Sequence, residues 1–424
     1  MEMHYRLFSR SPALLTALTL GAAFSLTGCG QPATETETET RAADRGTELA
    51  QRFLLVDTHI DVPYRIHDEW EDVSVATDGG DFDYPRAVAG GLDSMFMSIY
   101  IPAAVDEAGE AKGFAEGLID SVEALAASAP EKFGIATCTA DVLALKEAGR
   151  ISLPMGMENG GPIEGSFDNL SHFANRGIRY VSLAHSKSNH ISDSSYDLNE
   201  RWQGLSEFGK SLIPEMNRQG VMIDVSHISD KAFWQVLELT EVPVIASHSS
   251  MRHYTPGFQR NMSDEMVTAL GENGGVIQIN FGSSFLTKAA RDYGNASQQA
   301  MIRFRAEAAE NLDEAKMAEF AANYRQANPY PYATVDDVLD HIDRAVELAG
   351  IDHVGIGSDY DGVGDSLPIG LKDVSEYPNL VNGLLERGYS EADIEKIWGG
   401  NTMRVWAEVE AYAAAAGNPP MCTI

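Results

Sequence analysis

The sequence predicts an α/β fold of the TIM type, a (β/α)8 barrel. Eight short apolar or β-branched runs alternate with longer helix-like stretches, which is the rhythm of βα units and a parallel sheet. About 375 residues remain after the N-terminal leader, which is enough for eight such units in one large domain. In this fold the carboxyl ends of all strands meet at one mouth, where active sites lie.

The eight predicted strands lie at 53–57, 94–101, 152–157, 179–184, 221–226, 242–247, 275–280 and 353–358. A ninth candidate, FGIAT at 133–137, is interpreted as a connector because it is short and a Thr-capped helix follows at once. The Ala-, Glu- and Arg-rich stretch from roughly 284 to 334 predicts a helical insertion between strands seven and eight. We interpret it as a solvated excursion rather than a dedicated partner site.

The first 28 residues are predicted to be a signal peptide. A basic start precedes an apolar run too short to span a bilayer, and LTGC follows. This pattern resembles a bacterial lipoprotein signal, in which cleavage before Cys29 leaves that cysteine lipidated; an ordinary secretory signal is the alternative. The Thr/Glu-rich residues 29–46 predict a disordered tether, residues 47–412 the folded domain and residues 413–424 a tail.

The lipoprotein signal and the alternative secretory signal both predict export. Gly30 rather than Asp after the cysteine predicts a lipid anchor on the periplasmic face of an outer membrane, with the cell surface as the alternative. The net charge of −32 argues against nucleic acid and anionic lipid as partners, so membrane attachment would depend on the acyl chains. Cys138 and Cys422 are too few for a disulfide framework, and the sequence does not determine whether they pair.

Side chains that bind metals or move protons follow six of the eight predicted strands. They are Asp57, His59 and Asp61 after strand one, Glu158 after strand three, His185 after strand four, His227 after strand five, His248 after strand six and Asp359 after strand eight. Because the strand ends converge, we expect these side chains at one place. Asp57 is expected to hydrogen-bond a ligand or the loop backbone. The remaining histidines, such as His341, are interpreted as structural.

The predicted ligands indicate a metal centre. Imidazole and carboxylate groups without thiolate suit Zn²⁺, with Mn²⁺, Co²⁺ or Fe²⁺ as alternatives. The set of His59, Asp61, Glu158, His227 and His248 exceeds what one catalytic zinc ion requires. It predicts two metal ions about 3.5 to 4 Å apart that share a bridging carboxylate and activate water between them.

Seven segments occur in a specific order and spacing. They are DTHID, MGMENGG, SLAHSKSN, LSEFGKSLIPEMNRQGVMIDVSHIS, VPVIASHSSMR, RNMSDE and HVGIGSDYDGV. Over residues 50–410 this pattern resembles the membrane (renal) dipeptidase family, zinc peptidases with an amidohydrolase-like barrel. The resemblance implies that 47–412 is a metallopeptidase domain with two zinc ions per chain, dipeptide substrates and a homodimeric state.

The resemblance also implies how the ligands divide between the two ions. His59 and Asp61 would bind one zinc ion, and His227 and His248 would bind the other. Glu158 would bridge both ions.

The substrate-binding roles follow from the same resemblance. His185 would hold the oxygen of the tetrahedral intermediate, and Arg260 of RNMSD would receive the carboxylate of the dipeptide. Asp359 would handle protons; Asp361 is its rival, but it is expected to turn away with the loop. The chain departs from the family at Gly282, where members often have an aromatic residue, and this affects the substrate pocket.

These residues predict a hydrolytic mechanism. A hydroxide shared by two zinc ions would attack the peptide carbonyl, zinc and His185 would stabilise the oxyanion, and Asp359 would pass the water proton to the leaving amine. One alternative is another binuclear amidohydrolase, such as a lactonase, deaminase, phosphotriesterase or β-lactam hydrolase. Such enzymes commonly have a His-x-His pair on strand one. A non-catalytic binding lipoprotein is the second alternative, but it would not need Asp359 beside a complete ligand set.

Overall fold

Parallel strands form a closed barrel in the computed structural model, which describes residues 45–308 and 313–423. The strands are Leu55–Ile60 (β1), Leu92–Tyr100 (β2), Phe133–Ile135 (β3), Ile151–Leu153 (β4), Met155–Glu158 (β5), Ile178–Ser182 (β6), Met222–Asp224 (β7), Ile245–Ser249 (β8), Val276–Ile279 (β9) and Val354–Ile356 (β10). Neighbours follow the order β1, β10, β9, β8, β7, β6, β5 and β2, and β2 pairs with β1 to close the ring. The predicted eight-stranded TIM-type barrel is confirmed.

Helices follow most of the barrel strands. They are 45–52 (α1), Val62–Asp68 (α2), Tyr84–Gly90 (α3), Ala103–Glu107 (α4), Ala111–Ser128 (α5), Thr139–Glu147 (α6), Phe167–Asn175 (α7), Glu207–Gln219 (α8), Asp230–Leu239 (α9), Asp264–Glu272 (α10), Ser283–Leu286 (α11), Lys288–Ala308 (α12), Glu314–Ala327 (α13), Val335–Ala349 (α14), Tyr377–Glu386 (α15), Glu391–Glu395 (α16) and Asn401–Ala415 (α17). Ser206, Ser229 and Ser263 begin three of these helices, each accepting a hydrogen bond from a backbone N–H three residues on.

The interpretation of 133–137 as a connector was wrong. Phe133–Ile135 forms β3, which pairs in parallel with β4 outside the closed ring. The third predicted strand, 152–157, is divided at Pro154, which has no N–H group to donate to a neighbouring strand. Its first part, β4, pairs with both β2 and β3, and its second part, β5, is a barrel strand between β2 and β6.

The region between β9 and β10 contains a pair of long helices, α12 and α13. Phe304 and Phe320 stack between them with ring centroids 4.3 Å apart. Arg325, near the end of α13, donates hydrogen bonds to the Tyr332 hydroxyl at 2.7 Å and to the Asp365 carbonyl at 2.8 Å. These bonds join α13 to the loop that follows β10, which reaches the barrel mouth.

A disulfide joins Cys138, at the start of α6, to Cys422 near the end of the chain. The backbone N–H of Thr423 also donates to the Asp141 carboxylate at 2.9 Å. The C-terminal tail is therefore fixed against α6. The predicted signal peptide, Cys29 and nearly all of the predicted tether lie outside the described residues. Within the described ranges, no helix combines the length and the apolar character needed to cross a bilayer.

Candidate metal centre

The predicted ligands meet at the carboxyl ends of the barrel strands. His59 lies in β1, Glu158 ends β5, and His248 lies in β8. His227 follows β7 and Asp359 follows β10, so residues far apart in sequence reach one mouth. All five side chains are at least nine-tenths buried, and burial of so many ionisable groups is unusual unless they pair with one another or bind a metal.

Glu158 lies at the centre of the cluster, between two groups of ligands. Its Oε1 atom is 3.0 Å from His227 Nε2, 3.2 Å from His248 Nε2 and 3.5 Å from His185 Nε2. Its Oε2 atom is 3.5 Å from His59 Nε2. The two oxygens of one carboxylate thus face different imidazoles, as a bridging ligand would.

A second group surrounds the other face of Glu158. His59 Nε2 is 3.4 Å from Asp61 Oδ2, and ligand atoms of His59, Asp61 and Asp359 all lie within 4.8 Å of one another. His59 Nε2 is buried and has no hydrogen-bond partner among the described residues. A buried imidazole nitrogen that faces carboxylates and has no hydrogen-bond partner suits a metal ligand.

Hydrogen bonds fix the tautomer of two of these histidines. The Tyr180 hydroxyl donates its proton to the Thr58 carbonyl at 3.0 Å, so it can only accept from His59 Nδ1, 2.9 Å away. The Ser247 hydroxyl donates to Asp224 at 2.7 Å and likewise accepts from Nδ1 of its neighbour His248, at 2.8 Å. Both rings therefore carry a proton on Nδ1 and turn Nε2 to the centre.

The protonation states on the Glu158 Oε1 side suit metal binding. Burial opposes ionisation of Glu158, but the imidazoles of His59 and His185 hold its pKa well below the ordinary value. Burial, together with the Arg260 guanidinium, lowers the pKa of His227 well below the ordinary value, and burial with His59 does the same for the pKa of His248. An ionised carboxylate and neutral imidazoles are the forms that ligate metals.

The other side of the centre has excess negative charge. Burial lowers the pKa of His59, but the acidic groups Tyr180, Glu158 and Asp61 raise it well above the ordinary value. Burial and the neighbouring Asp61 raise the pKa of Asp359 well above its ordinary value. Both shifts reflect the acidic groups crowded around His59 and Asp359, and a cation between these side chains would balance their charge.

Asp359 and Asp361 have different surroundings. Asp359 Oδ2 accepts a hydrogen bond from Asn280 Nδ2 at 2.6 Å, and Asp359 contributes to the group with His59 and Asp61. Asp361 instead accepts from Arg65 at 2.9 Å and from the backbone N–H of Asp81 at 2.6 Å. Asp361 is thus engaged by the loop, whereas Asp359 faces the cluster.

Asp57 joins the first and last barrel strands. Its carboxylate accepts hydrogen bonds from the backbone N–H groups of His59 at 3.0 Å and Ser358 at 3.1 Å, and from the Tyr377 hydroxyl at 2.5 Å. It therefore supports the backbone on both sides of the cluster, at His59 and at the strand before Asp359.

Arg260 lies beside the histidine cluster rather than freely above the mouth. Its guanidinium donates to Ser249 Oγ at 2.8 Å and to the His248 carbonyl at 2.7 Å, and its Nη2 is 3.0 Å from His227 Nε2. Its Nε is buried and has no acceptor within the described part of the chain. Arg260 is 2% exposed and contacts His227 and His248, which line the cavity above the cluster.

A cavity of about 610 Å³ opens above the cluster. Its floor includes Glu158, His185 and Asp359, and aromatic side chains such as Tyr64 and Phe285 line its walls. A floor of ionisable side chains beneath aromatic walls is the arrangement of a small-molecule site.

Several supporting residues were not predicted. Asn280 directly follows β9, and the rule that functional side chains follow strands could have identified it as it did the other candidates. Asp224 is a charged residue inside the buried run VMIDVS, which is itself a signal of a special role. Tyr180 has no comparable signal, because a tyrosine in a strand is ordinary and only the fold brings its hydroxyl to His59.

The chain matches a family model described as membrane dipeptidase (peptidase family M19) over residues 43–419. It is 33% identical over 345 residues to the dipeptidase tcpJ of Claviceps purpurea, covering 79% of this chain and 71% of that protein. A dipeptidase of Aspergillus oryzae, aclJ, is 33% identical over 341 residues, with coverage of 79% and 71%.

Solved structures resemble the fold. The probable dipeptidase PvdM from Pseudomonas aeruginosa has a TM-score of 0.75 and 30% identity, covering 88% of this chain and 100% of that one. A metallopeptidase from Rhodobacter sphaeroides, liganded with a phosphinate mimic of the dipeptide L-Ala-D-Ala, has a TM-score of 0.68 and 24% identity, with coverage of 84% and 99%. The family match over nearly the whole described chain confirms the resemblance: the chain belongs to the membrane dipeptidase family, peptidase family M19.

Proposed function

We propose that this protein is a binuclear zinc dipeptidase. The observation that carries the proposal is the position of Glu158, whose two carboxylate oxygens face separate groups of ligands. His227 and His248 form one group, and His59 and Asp61 form the other. The composition of both groups, imidazole and carboxylate without thiolate, favours zinc.

The dipeptide substrate is supported by family membership and by the cavity. The two fungal relatives are both named dipeptidases. The cavity of about 610 Å³ is of the size that takes a small molecule, and buried Arg260 lies beside its floor. An Arg guanidinium suits a free carboxylate, which only a short peptide held at its scissile bond would bring within reach.

Two zinc ions, when bound, would supply activated water and would polarise the peptide carbonyl. In the proposed reaction His185 donates a hydrogen bond to the carbonyl oxygen as negative charge develops on it. Asp359 takes a proton from the attacking water and returns it to the leaving amine. Asn280 donates to Asp359 Oδ2 and so orients the carboxylate for this role.

Metal analysis tests the binuclear centre. The purified protein should contain close to two zinc equivalents per chain, and His227→Ala or His248→Ala should lose about one of them with nearly all activity. His172→Ala, which changes a histidine with an exposed side chain paired with Glu116, is the matched control and should keep both ions. Active, undialysed enzyme with at most one metal ion would rule out the binuclear proposal.

A substrate screen separates the proposal from the alternatives. The zinc-loaded protein should hydrolyse dipeptides of the L,L or L,D series and should prefer them to lactones, β-lactams and phosphotriesters. A preference for one of these other classes would assign a different amidohydrolase activity. No hydrolysis of any of them would favour a binding protein.

We also propose export and lipid anchoring through Cys29. The LTGC motif and the Thr/Glu tether support this proposal, and so does the disulfide, because disulfides persist in oxidising compartments outside the cytosol. Cys29→Ser should move the protein from the membrane fraction to the soluble fraction and abolish palmitate labelling. Labelling that persists in Cys29→Ser would contradict the anchor. A homodimer stays a prediction of family resemblance.

A further inference from the structure

Phe285 forms a fixed part of the cavity wall. It belongs to the short helix α11, which follows β9, and its ring lines the cavity. The Phe285 carbonyl accepts a hydrogen bond from Asn261 Nδ2 at 2.7 Å, and the neighbouring Ser283 N–H donates to the Ser366 carbonyl at 2.9 Å. The short helix α11, which contains Phe285, is thus tied to the loop after β8 and to the loop after β10.

Gly282 lets Phe285 and Val363 pack closely at this wall. A Cβ atom on Gly282 would lie 2.8 Å from Phe285 Cδ2 and 2.9 Å from Val363 Cγ1, which is closer than real Cβ contacts. Phe285 and Val363 both line the cavity.

The Phe285 ring lies next to Arg260. The guanidinium carbon of Arg260 is 5.4 Å from the centroid of the Phe285 ring. The Phe258 ring contacts the same ring, with centroids 5.7 Å apart. A peptide carboxylate bound by Arg260 is one bond away from the Cα atom of the C-terminal residue. The side chain on that Cα atom would therefore lie in the part of the cavity that Phe285 lines, and the contact with Phe258 restricts movement of the Phe285 ring.

We infer that Phe285 determines which residue is accepted on the carboxyl side of the scissile bond, limiting it to small side chains such as those of Gly and Ala. This inference rests on the proposed dipeptidase function and on carboxylate binding by Arg260. A larger side chain would overlap the Phe285 ring, which packs against Phe258. Differences of one or a few carbon atoms in such a pocket change kcat/KM by roughly 10- to 200-fold.

The test compares dipeptides that differ only in the C-terminal residue. With zinc-loaded enzyme, kcat/KM for Ala-Ala should exceed that for Ala-Leu and Ala-Phe by at least about 10-fold, in whichever stereochemical series is cleaved. Phe285→Ala should reduce this preference by at least about 10-fold, and Phe285→Leu should give an intermediate value. Metal content and circular dichroism of each variant check that it is folded.

Tyr64→Ala is the matched control, because Tyr64 is an aromatic residue of the same cavity on a different element, α2. It should leave the ratio between Ala-Ala and Ala-Leu unchanged. A wild type that cleaves Ala-Leu as well as Ala-Ala overturns the inference but keeps the dipeptidase function. The inference is also overturned, with the dipeptidase function kept, if Phe285→Ala and Phe285→Leu leave the ratio of kcat/KM between Ala-Ala and Ala-Leu unchanged. Failure of the wild type to hydrolyse any dipeptide rejects the proposed function and this inference together.

Discussion

Single residues at the mouth of the barrel hold unusual backbone conformations. His227 and Asp359 have φ angles of 71° and 65°, and Asn159, directly after Glu158, has a φ of 77°. Each such non-glycine residue costs on the order of 1 kcal/mol. These residues turn the chain immediately after a strand, which lets His227 and Asp359 face the cluster instead of continuing outward. Strain concentrated at these positions is consistent with a functional centre rather than a stabilising one.

Substitution of Arg260 tests its proposed contact with the substrate carboxylate. A hydrogen bond to a charged group contributes about 1.5 to 3 kcal/mol, so Arg260→Ala should lower kcat/KM for free dipeptides roughly 10- to 150-fold. Arg260→Lys should not restore activity, because an ammonium cannot form two parallel hydrogen bonds to one carboxylate. Steady-state kinetics measure both variants, and zinc content should stay the same.

Amidated dipeptides provide the control for this prediction. They lack the carboxylate, so they should be poor substrates for the wild type and should lose much less activity on Arg260→Ala. Arg218→Ala removes an arginine paired with Glu215 on the surface and should change neither substrate class. Equal cleavage of free and amidated dipeptides by the wild type would show that Arg260 does not bind the substrate carboxylate.

Individual ligands could be predicted because each follows a recognisable strand. Glu158, His227 and His248 come directly after or within apolar runs, and the fold brings such positions together. The hydrogen bonds that orient the ligands were not predictable. The Tyr180 hydroxyl meets His59 only through barrel closure, since 121 residues separate them. Likewise, Arg260 meets the Phe285 ring of α11, 5.4 Å away, only through the fold.

At the scale of single elements, helix α14 connects two loops of the mouth through one buried histidine. His341 Nδ1 accepts from the Met251 N–H at 2.9 Å, and its Nε2 donates to the Leu286 carbonyl at 2.9 Å. Met251 follows β8, and Leu286 ends α11, which contains Phe285. This agrees with the structural role predicted for His341, because both ring nitrogens are engaged by backbone groups when the ring is neutral.

The neutral state of His341 predicts a pH dependence of stability. Burial lowers its pKa from 6.5 to about 4. Between pH 6.5 and pH 4 the unfolded chain binds more protons at His341 than the folded chain. The contribution of His341 to the free energy of unfolding is therefore fully present above pH 6.5 and is lost as the pH falls towards 4. Wild type should lose about 3 kcal/mol more unfolding free energy than His341→Gln between pH 7 and pH 4.

Urea unfolding of both proteins at several pH values measures this difference. Carboxylate titration and metal release contribute equally to the pH dependence of both proteins, so they cancel in the difference. His172→Gln, at an exposed histidine, is the matched control. Parallel pH profiles for wild type and His341→Gln would mean that His341 is not held neutral by the fold.

Most elements could be predicted from their patterns, and the exceptions have local causes. The eight barrel strands lie within apolar or β-branched runs that alternate with helix-like stretches. Phe133–Ile135 was missed because a Thr-capped helix follows this short run at once, and its strand state depends on pairing with β4. The break at Pro154 was predictable in principle, since proline lacks the N–H that a central strand needs.

At the scale of the whole molecule, the two ends of the barrel have different roles. The metal cluster occupies the carboxyl ends of the strands, whereas the C-terminal tail lies at the other end. There Met421 lines a cavity together with Arg179, near the start of β6, and Gly220, just before β7. The disulfide between Cys138 and Cys422 holds the tail in this position. Stability and catalysis should therefore be separable at these two cysteines.

Removal of the disulfide should lower stability without affecting catalysis. The bond joins residues 284 positions apart, so it restricts a large part of the unfolded chain, and such bonds contribute roughly 2 to 4 kcal/mol. The double variant Cys138→Ser/Cys422→Ser should lose that amount in urea unfolding while zinc content and kcat/KM stay at wild-type values. Reductant should lower the wild type to the stability of the double variant and should leave the variant unchanged. Two titratable free thiols in the unreduced, exported protein would contradict this prediction, because the disulfide would then be absent. A loss of zinc in the double variant would also contradict it, because the tail would then be coupled to the metal centre.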